Sequence, residues 1–527
     1  MVTYDALKDA RFDSLRSHAD TWGRTMNQLD IVVRDFELGV CGATEHAGWK
    51  GDAAGLANPE LEDALRRIRI AALEARAVAA ELDFAVEALS DCQYRLFAEV
   101  HAALTSGVTI TGNGAGGFTV TETRPPTALR DDLELSSVQA MLDGYAQRVQ
   151  GILDDAAAAD TLHAALLAKL AAGEVARGDD AALKHAKQDL ESVFGSMSPQ
   201  QTGAWWAQMT EAERQAFLVD YPYEVGAMDG VPATVRNQAN QAALNSRLAD
   251  LGPLVTGGTA TAAERKEWEN LQKINQVMAG NVERRPEEQL MLLKFGTRTR
   301  DGEVVISVGN PDTAKNTAIT VPGVNTTVAG KLTEQVERAT NLQRVADRVT
   351  PGVPGDAAVI VWLDYDSPEL SLTAGSLSSG AGPGRAQEGA GRLDRFVDGT
   401  RVTGPKDQHL TVGGHSYGTS VVAYAARDGD GLDADELVFV GSPGVQVDHA
   451  ADLNFDPNRV WVGIAPDDWE APASSFLHGT LPTDDDFGAH RFAANDGGHF
   501  SYWDMRSEYE GDTSIQSQAD IMMGRTP

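Results

Sequence analysis

Gly414-His415-Ser416-Tyr417-Gly418 holds the first side chain in this sequence with a recognisable reaction open to it. A serine hydroxyl attacks an acyl carbon only when a base takes its proton and a carboxylate holds that base in place. The pattern G-x-S-x-G has little weight alone, since roughly 0.3 matches are expected by chance in a chain of this size. Its surroundings supply the weight. HLTVGG before Ser416 reads as a strand, and TSVVAYAARDGDG after it reads as a helix of about ten residues closed by glycine. A serine on such a strand-to-helix turn needs small residues on both sides, because the backbone is strained and the helix packs close to the strand. Gly414 and Gly418 meet that need, so Ser416 is read as a nucleophile rather than as a serine in a glycine-rich loop.

On a turn of this kind the acid and the base are expected downstream, in the order serine, acid, histidine. His449, His478, His490 and His499 all follow Ser416. His499, in the glycine-flanked loop ANDGGHFSYW near the carboxyl end, is the preferred base; the neighbours of His490, FGAHRFA, read as a surface segment. His415 points away from such a turn and is read as structural. For the acid, RVWVGIAPDDWEAP ends a strand in Asp467-Asp468. Asp468, with a proline four residues on, is preferred to Asp467; Asp448 is a third candidate, and the pair also reads as solvated turn residues. Acyl transfer further needs N–H donors aimed at the developing oxyanion. One would be the backbone N–H of Tyr417. The second would come from VPGVNTT, 321–327, where Gly323 lets the loop bend and the N–H of Val324 or Asn325 faces the site. No metal or organic cofactor is implied by this set.

The elements that must hold these residues are legible as a change of character near residue 295. EVVISVG, TAITVPG, AAVIVWLDY, LTVGG, ELVFVGS and RVWVGIA are short β-branched runs, most of them separated by helix-length segments. Such alternation predicts an α/β domain with a mostly parallel sheet and ligands at the carboxyl ends of its strands. LTAGSLSSGAGPGRAQEGAG, 372–391, reads equally as a lid over that end or as a plain connection.

Before residue 295 the pattern is helical. Leu15, Ala19, Trp22, Met26, Leu29, Val33, Phe36 and Val40 recur at steps of four and three, as do Leu61, Leu65, Ile68, Ala72, Ala75, Ala79, Leu82, Val86 and Leu89. That spacing predicts a two-helix coiled-coil hairpin with its turn in HAGWKGDAAGLANP. VTITGNGAGGFTVTE reads as a short β-hairpin, followed by a long helix from about Ser136 to Ala172. Ser198-Pro-Gln-Gln, Thr210-Glu-Ala-Glu and Thr261-Ala-Ala-Glu each fit a capping box, and Trp205-Trp206 is read as packing. The expected organisation is an α plus α/β chain. A helical hairpin spans 1–105, a helical region with a short β-hairpin 106–290, and an α/β domain 291–527.

Composition narrows the function classes. A net charge of −33 argues against nucleic acid or an anionic membrane as the main partner. No apolar run approaches the ~20 residues of a transmembrane helix. The opening MVTYDALKDARFDSLRS lacks the layout of a secretory signal peptide, so the expected location is cytoplasmic or beyond a route that needs no such peptide. Cys41 and Cys92 are the only cysteines, which argues against a disulfide framework or a structural zinc site.

With these residues assembled, the carboxyl half resembles an actinobacterial α/β-hydrolase family of unknown function. The likeness rests on VPGVNTT, WLDYDSP, GGHSYGT, VFVGSPGV and GGHFSYW, and extends upstream through PATVRNQAN and RRPEEQLMLLKFGT. It implies a serine hydrolase fold with Ser416 and His499 in a triad, and supplies no substrate. The amino-terminal hairpin, with Trp49-Lys50-Gly51 at its turn, looks like the WxG proteins of type VII secretion. Those carry Tyr-x-x-x-Asp/Glu after the second helix; here Tyr94 is followed four places on by Ala98, with Glu99 one position late, so a helical WxG-type partner would supply the export signal. A coiled-coil arm with no secretory role is the alternative. Three functions follow: a serine hydrolase of a small ester or lipid-like acyl substrate, a type VII-associated interaction protein with an idle hydrolase domain, or a secreted hydrolase combining both.

Overall fold

The computed structural model describes residues 2–36, 52–123, 132–171, 197–209, 211–299, 301–349, 355–369, 383–429, 431–468, 479–494, 497–505 and 513–527. Trp49-Lys50-Gly51, Cys41, Thr210, His478 and most of the 372–391 stretch lie outside these residues.

All six β-branched runs read from the sequence form strands, and they join one eight-stranded sheet. In chain order the strands are β3 (Leu290–Gly296), β4 (Glu303–Val308), β5 (Asn316–Val321), β6 (Ala357–Leu363), β7 (His409–His415), β8 (Glu436–Val440), β9 (Val460–Gly463) and β10 (His490–Arg491). Across the sheet they run β10-β9-β8-β7-β5-β6-β4-β3. Pairing is parallel from β10 to β6 and antiparallel at β6–β4 and β4–β3. Every residue of β4, β6 and β8 is buried, as expected of strands covered on both faces. The helices over them include α10 (Val328–Val349) and α13 (Ser514–Met522) in one group, and α11 (Gly384–Thr403) with α12 (Gly418–Arg427) in another. After β5 the chain goes first to β6 on one side and then to β7 on the other. The carboxyl end of β5 is therefore the point where strand order reverses, the usual place for a site in an open α/β sheet.

The chain divides into two compact units, Met1–Ser196 and Met197–Pro527, rather than near residue 290 where the character of the sequence changes. The reason is the edge strand β3. Helix α8 (Ala233–Thr256) lies on it and on α7 (Pro222–Ala227). Asn240 Nδ2 donates to the carbonyls of Gly226 and Leu292, Arg236 Nε to those of Gly226 and Leu293, and Leu292 N–H to Asn237 Oδ1, all at 2.9–3.1 Å. The Leu292 N–H and the Leu292 and Leu293 carbonyls are thereby withheld from any other chain. The helices of 197–290, α5 (Pro199–Gln208) and α9 (Ala262–Ala279) included, thus belong to the sheet's unit. The capping boxes at Ser198 and Thr261 both form, and Trp205 and Trp206 are buried, with Trp205 edge-on to Phe217 at 5.2 Å.

In the first unit, α1 (Tyr4–Lys8) precedes two long helices, α2 (Asp13–Phe36) and α3 (Asp52–Thr105), which pack on each other; α4 (Asp132–Ala171) packs along α3. Ala19, Ala75, Leu82 and Val86 of the expected seams are buried, but Trp22 is 39% exposed. Strands β1 (Val108–Gly112) and β2 (Phe118–Glu122) pair antiparallel as the expected hairpin, and Val108 and Ile110 join Leu96, Val149 and Ile152 in a core of their own.

Candidate active site

Ser416 stands between β7 and α12 with φ +53°, a left-handed conformation that costs a non-glycine residue about 1–3 kcal/mol unless its surroundings hold it. They do. Its N–H donates to Val440 of β8 at 3.0 Å, and its carbonyl accepts from Thr419 N at 3.0 Å and Thr419 Oγ1 at 2.6 Å. A Cβ on Gly414 would lie 2.6 Å from Thr419 Cα, and one on Gly418 would lie 2.2 Å from the Val321 carbonyl. Both glycines are therefore required by close approach, as the sequence reading expected.

Asp468 follows β9 and is buried, whereas Asp467 beside it is exposed. The buried His499 has Nδ1 at 2.8 Å from Asp468 Oδ2, so Nδ1 carries the proton and Nε2 is left basic. The other candidates lie elsewhere: His490 is exposed against Trp461, His449 Nδ1 donates to the Asp486 carbonyl, and Asp448 accepts from Thr480 Oγ1. Among the described residues the Ser416 hydroxyl is not hydrogen-bonded to the His499 ring, a contact that resting enzymes often leave loose.

Three further side chains fix the histidine and its acid. Tyr502, fully buried, donates to Asp468 Oδ2 at 2.5 Å and accepts the Ala465 N–H at 3.1 Å; burial pushes its phenol well above the ordinary range. Gly441, with φ +55°, makes room for this pair, since a Cβ there would come within 3.1 Å of both side chains. His415 Nε2 donates to the His499 carbonyl at 2.7 Å, with the two rings 4.7 Å apart. Burial first, then His499 and Arg338, holds the His415 imidazole well below its usual range, so it is neutral and structural, as the sequence reading held. Arg338 of α10 lies over the Trp503 and Phe500 rings at 4.8 and 5.7 Å, clamping the same loop.

The loop after β5 departs from expectation in two ways. Gly323 is there for close approach rather than for bending: a Cβ would lie 2.7 Å from Ser416 Cβ and 2.9 Å from the His415 carbonyl. The left-handed residue is Asn325, φ +56°, and its N–H already donates to the Pro368 carbonyl at 2.8 Å. Asn325 is thereby removed as an oxyanion donor. Val324 remains, and among the described residues its N–H has no acceptor. Tyr417, the first donor expected, is buried with its ring stacked on Tyr365 at 6.5 Å and its hydroxyl accepting the Ala386 N–H at 3.2 Å; burial raises that phenol to about 12. Ala386 lies in α11, so the end of the 372–391 stretch is helix rather than loop.

A family model described as an alpha/beta hydrolase matches residues 298–476, which hold the loop after β5, Ser416 and Asp468. An uncharacterized protein of Mycobacterium bovis is 32% identical over 189 residues, covering 35% of this chain and 68% of its own length. The chain belongs to the alpha/beta hydrolases. An uncharacterized protein of Mycobacterium tuberculosis is 31% identical over 384 residues, 62% of this chain; the chain spans only 56% of that relative's length. Among solved structures, esterase LipW of Mycobacterium marinum covers 50% of this chain and 90% of its own at 12% identity and TM-score 0.30. The poly(3-hydroxybutyrate) depolymerase LpqC of Bordetella parapertussis covers 47% and 94%, also at 12% and 0.30. Alignments that loose carry no chemistry to this chain. Its chemistry has to be argued from its own side chains.

The sequence singled out Ser416, Asp468 and His499 by order and context but missed Tyr365, Ser367, Tyr502 and Gly441. The signal for Tyr502 was its place three residues after His499 in one loop. The run Asp364-Tyr365-Asp366-Ser367 directly after an all-apolar strand was the signal for Tyr365 and Ser367; Gly441 had none.

Proposed function

We propose that the hydrolase cleaves an ester-type acyl bond through a covalent acyl-enzyme. The observation that carries this reading is the buried Asp468–His499 pair, whose histidine packs on His415, the residue before a serine held in left-handed strain. In the reaction Ser416 Oγ attacks the acyl carbon while His499 Nε2 takes its proton, and Asp468 stabilises the imidazolium that forms. The carbonyl oxygen becomes an oxyanion facing the N–H groups of Tyr417 and Val324. His499 returns the proton to the leaving alcohol. Water, deprotonated by the same nitrogen, then releases the acid and restores the serine. The substrate expected is a small-molecule or lipid-like ester.

Hydrolysis of para-nitrophenyl acetate by purified protein tests this. Asp468→Asn leaves the fold intact but favours the wrong tautomer of His499, and is expected to lower kcat roughly 10⁴-fold. Undiminished turnover by that variant would end the triad reading.

A further inference from the structure

Four hydrogen bonds tie the loop after β5 to the segment that follows β6. Tyr365 Oη donates to the Pro322 carbonyl at 2.5 Å, and Ser367 Oγ donates to the Gly323 carbonyl at 2.8 Å. Thr326 N–H donates back to Ser367 Oγ at 3.3 Å, and Asn325 N–H to the Pro368 carbonyl at 2.8 Å. Ser367 is itself buried, and its own carbonyl accepts from Arg385 Nη1 at 3.1 Å. Its hydroxyl therefore has both donor and acceptor capacity filled by one loop.

The consequence lies in the geometry of a single peptide group. Among the described residues no peptide bond is cis, so the Gly323 carbonyl and the Val324 N–H, which belong to one planar unit, point in opposite directions. Holding the carbonyl on Ser367 aims the N–H away from Ser367. Gly323 Cα is pressed against Ser416, so that N–H opens beside the nucleophile. We propose that Ser367 is a positioning residue that aims the Val324 N–H at the oxyanion. This rests on the acyl-hydrolase reading above. Without the hydroxyl the peptide is free to rotate, and the donor is lost where negative charge develops rather than where substrate first binds.

The test compares the full-length protein with Ser367→Ala and Ser367→Thr, using para-nitrophenyl acetate turnover and the rate of Ser416 labelling by a fluorophosphonate. Ser367→Ala is expected to lower kcat and the maximal labelling rate by about ten- to a hundredfold, with KM within about twofold. Ser367→Thr, which keeps the hydroxyl, is expected to recover most of the loss. An unchanged kcat, a loss confined to KM, or an equal loss in Ser367→Thr would each overturn the proposal. Ser367→Cys, close in shape but a weak donor, replaces the alanine variant should that not fold. An absence of labelling in the unaltered protein would count against the hydrolase reading instead. Crystal structures then decide the inference without activity: the Gly323–Val324 peptide rotated in Ser367→Ala supports it, and an unmoved peptide refutes it.

Discussion

Residue type and chain order pointed to Ser416, Asp468 and His499 as one candidate set, with flanking glycines at the serine and the histidine. Their partners were not legible. Whether the Asn325 N–H is free depends on a carbonyl, Pro368, more than forty residues on, and no local pattern reports that pairing. Tyr502 and Ser367 are equally silent, because a hydroxyl in a loop looks the same whether it faces water or a buried acceptor. His415 has a consequence that can be measured. Its folded form resists protonation, whereas in the unfolded chain it titrates near 6.5. As pH falls below that value the unfolded state takes up a proton that the native state refuses, so stability declines in that window and is fully present above it. Urea midpoints measured from pH 7.5 to 5 are expected to fall on the acid side. In His415→Gln, which keeps a donor for the His499 carbonyl, that part of the slope is expected to flatten; the same slope in both proteins would assign it to other groups.

At the scale of elements, six strands were read correctly because β6 is apolar throughout and β4 and β8 carry runs of Val, Leu, Ile and Phe, the mark that burial on both faces leaves in sequence. Strand β10 has two residues, both exposed, and strand β3 carries the alternate Met291 and Lys294 with a bulge between Leu292 and Lys294. The first is too short to stand out, and β3, LMLLKFG, is largely apolar but has no β-branched residue. The loop of 321–327 does lie against Ser416, though its glycine serves contact with that serine rather than a bend. Gly323→Ala tests that distinction. A bend needs only backbone freedom, and Gly323 is not among the positive-φ positions. A contact fails as soon as a methyl group arrives. The variant is expected to fold with a near-native melting temperature while kcat falls about a hundredfold, as displacements of an ångström near reacting groups do. Native turnover would show that the loop has room.

The whole molecule divides at residue 197 because its edge strand needs a cover, and that cover comes from helices which precede the strand in sequence. Composition alone placed the break where β-branched runs begin, since a helix looks alike whether it lies on a sheet or on other helices. The second unit has its own continuous core from Ala233 to Met522. Residues 197–527 expressed alone are expected to unfold in one cooperative transition and to keep whatever ester hydrolysis the full chain shows; residues 291–527, which leave β3 uncovered, are expected to aggregate. A soluble, active 291–527 fragment would contradict that account. The central claim is the activated serine, and fluorophosphonate labelling of the full chain tests it most directly. Mass spectrometry is expected to place one adduct on Ser416, with labelling abolished in Ser416→Ala and slowed by orders of magnitude in His499→Ala. Folded protein whose Ser416 stays unlabelled, or an adduct that persists at another residue in Ser416→Ala, would contradict it.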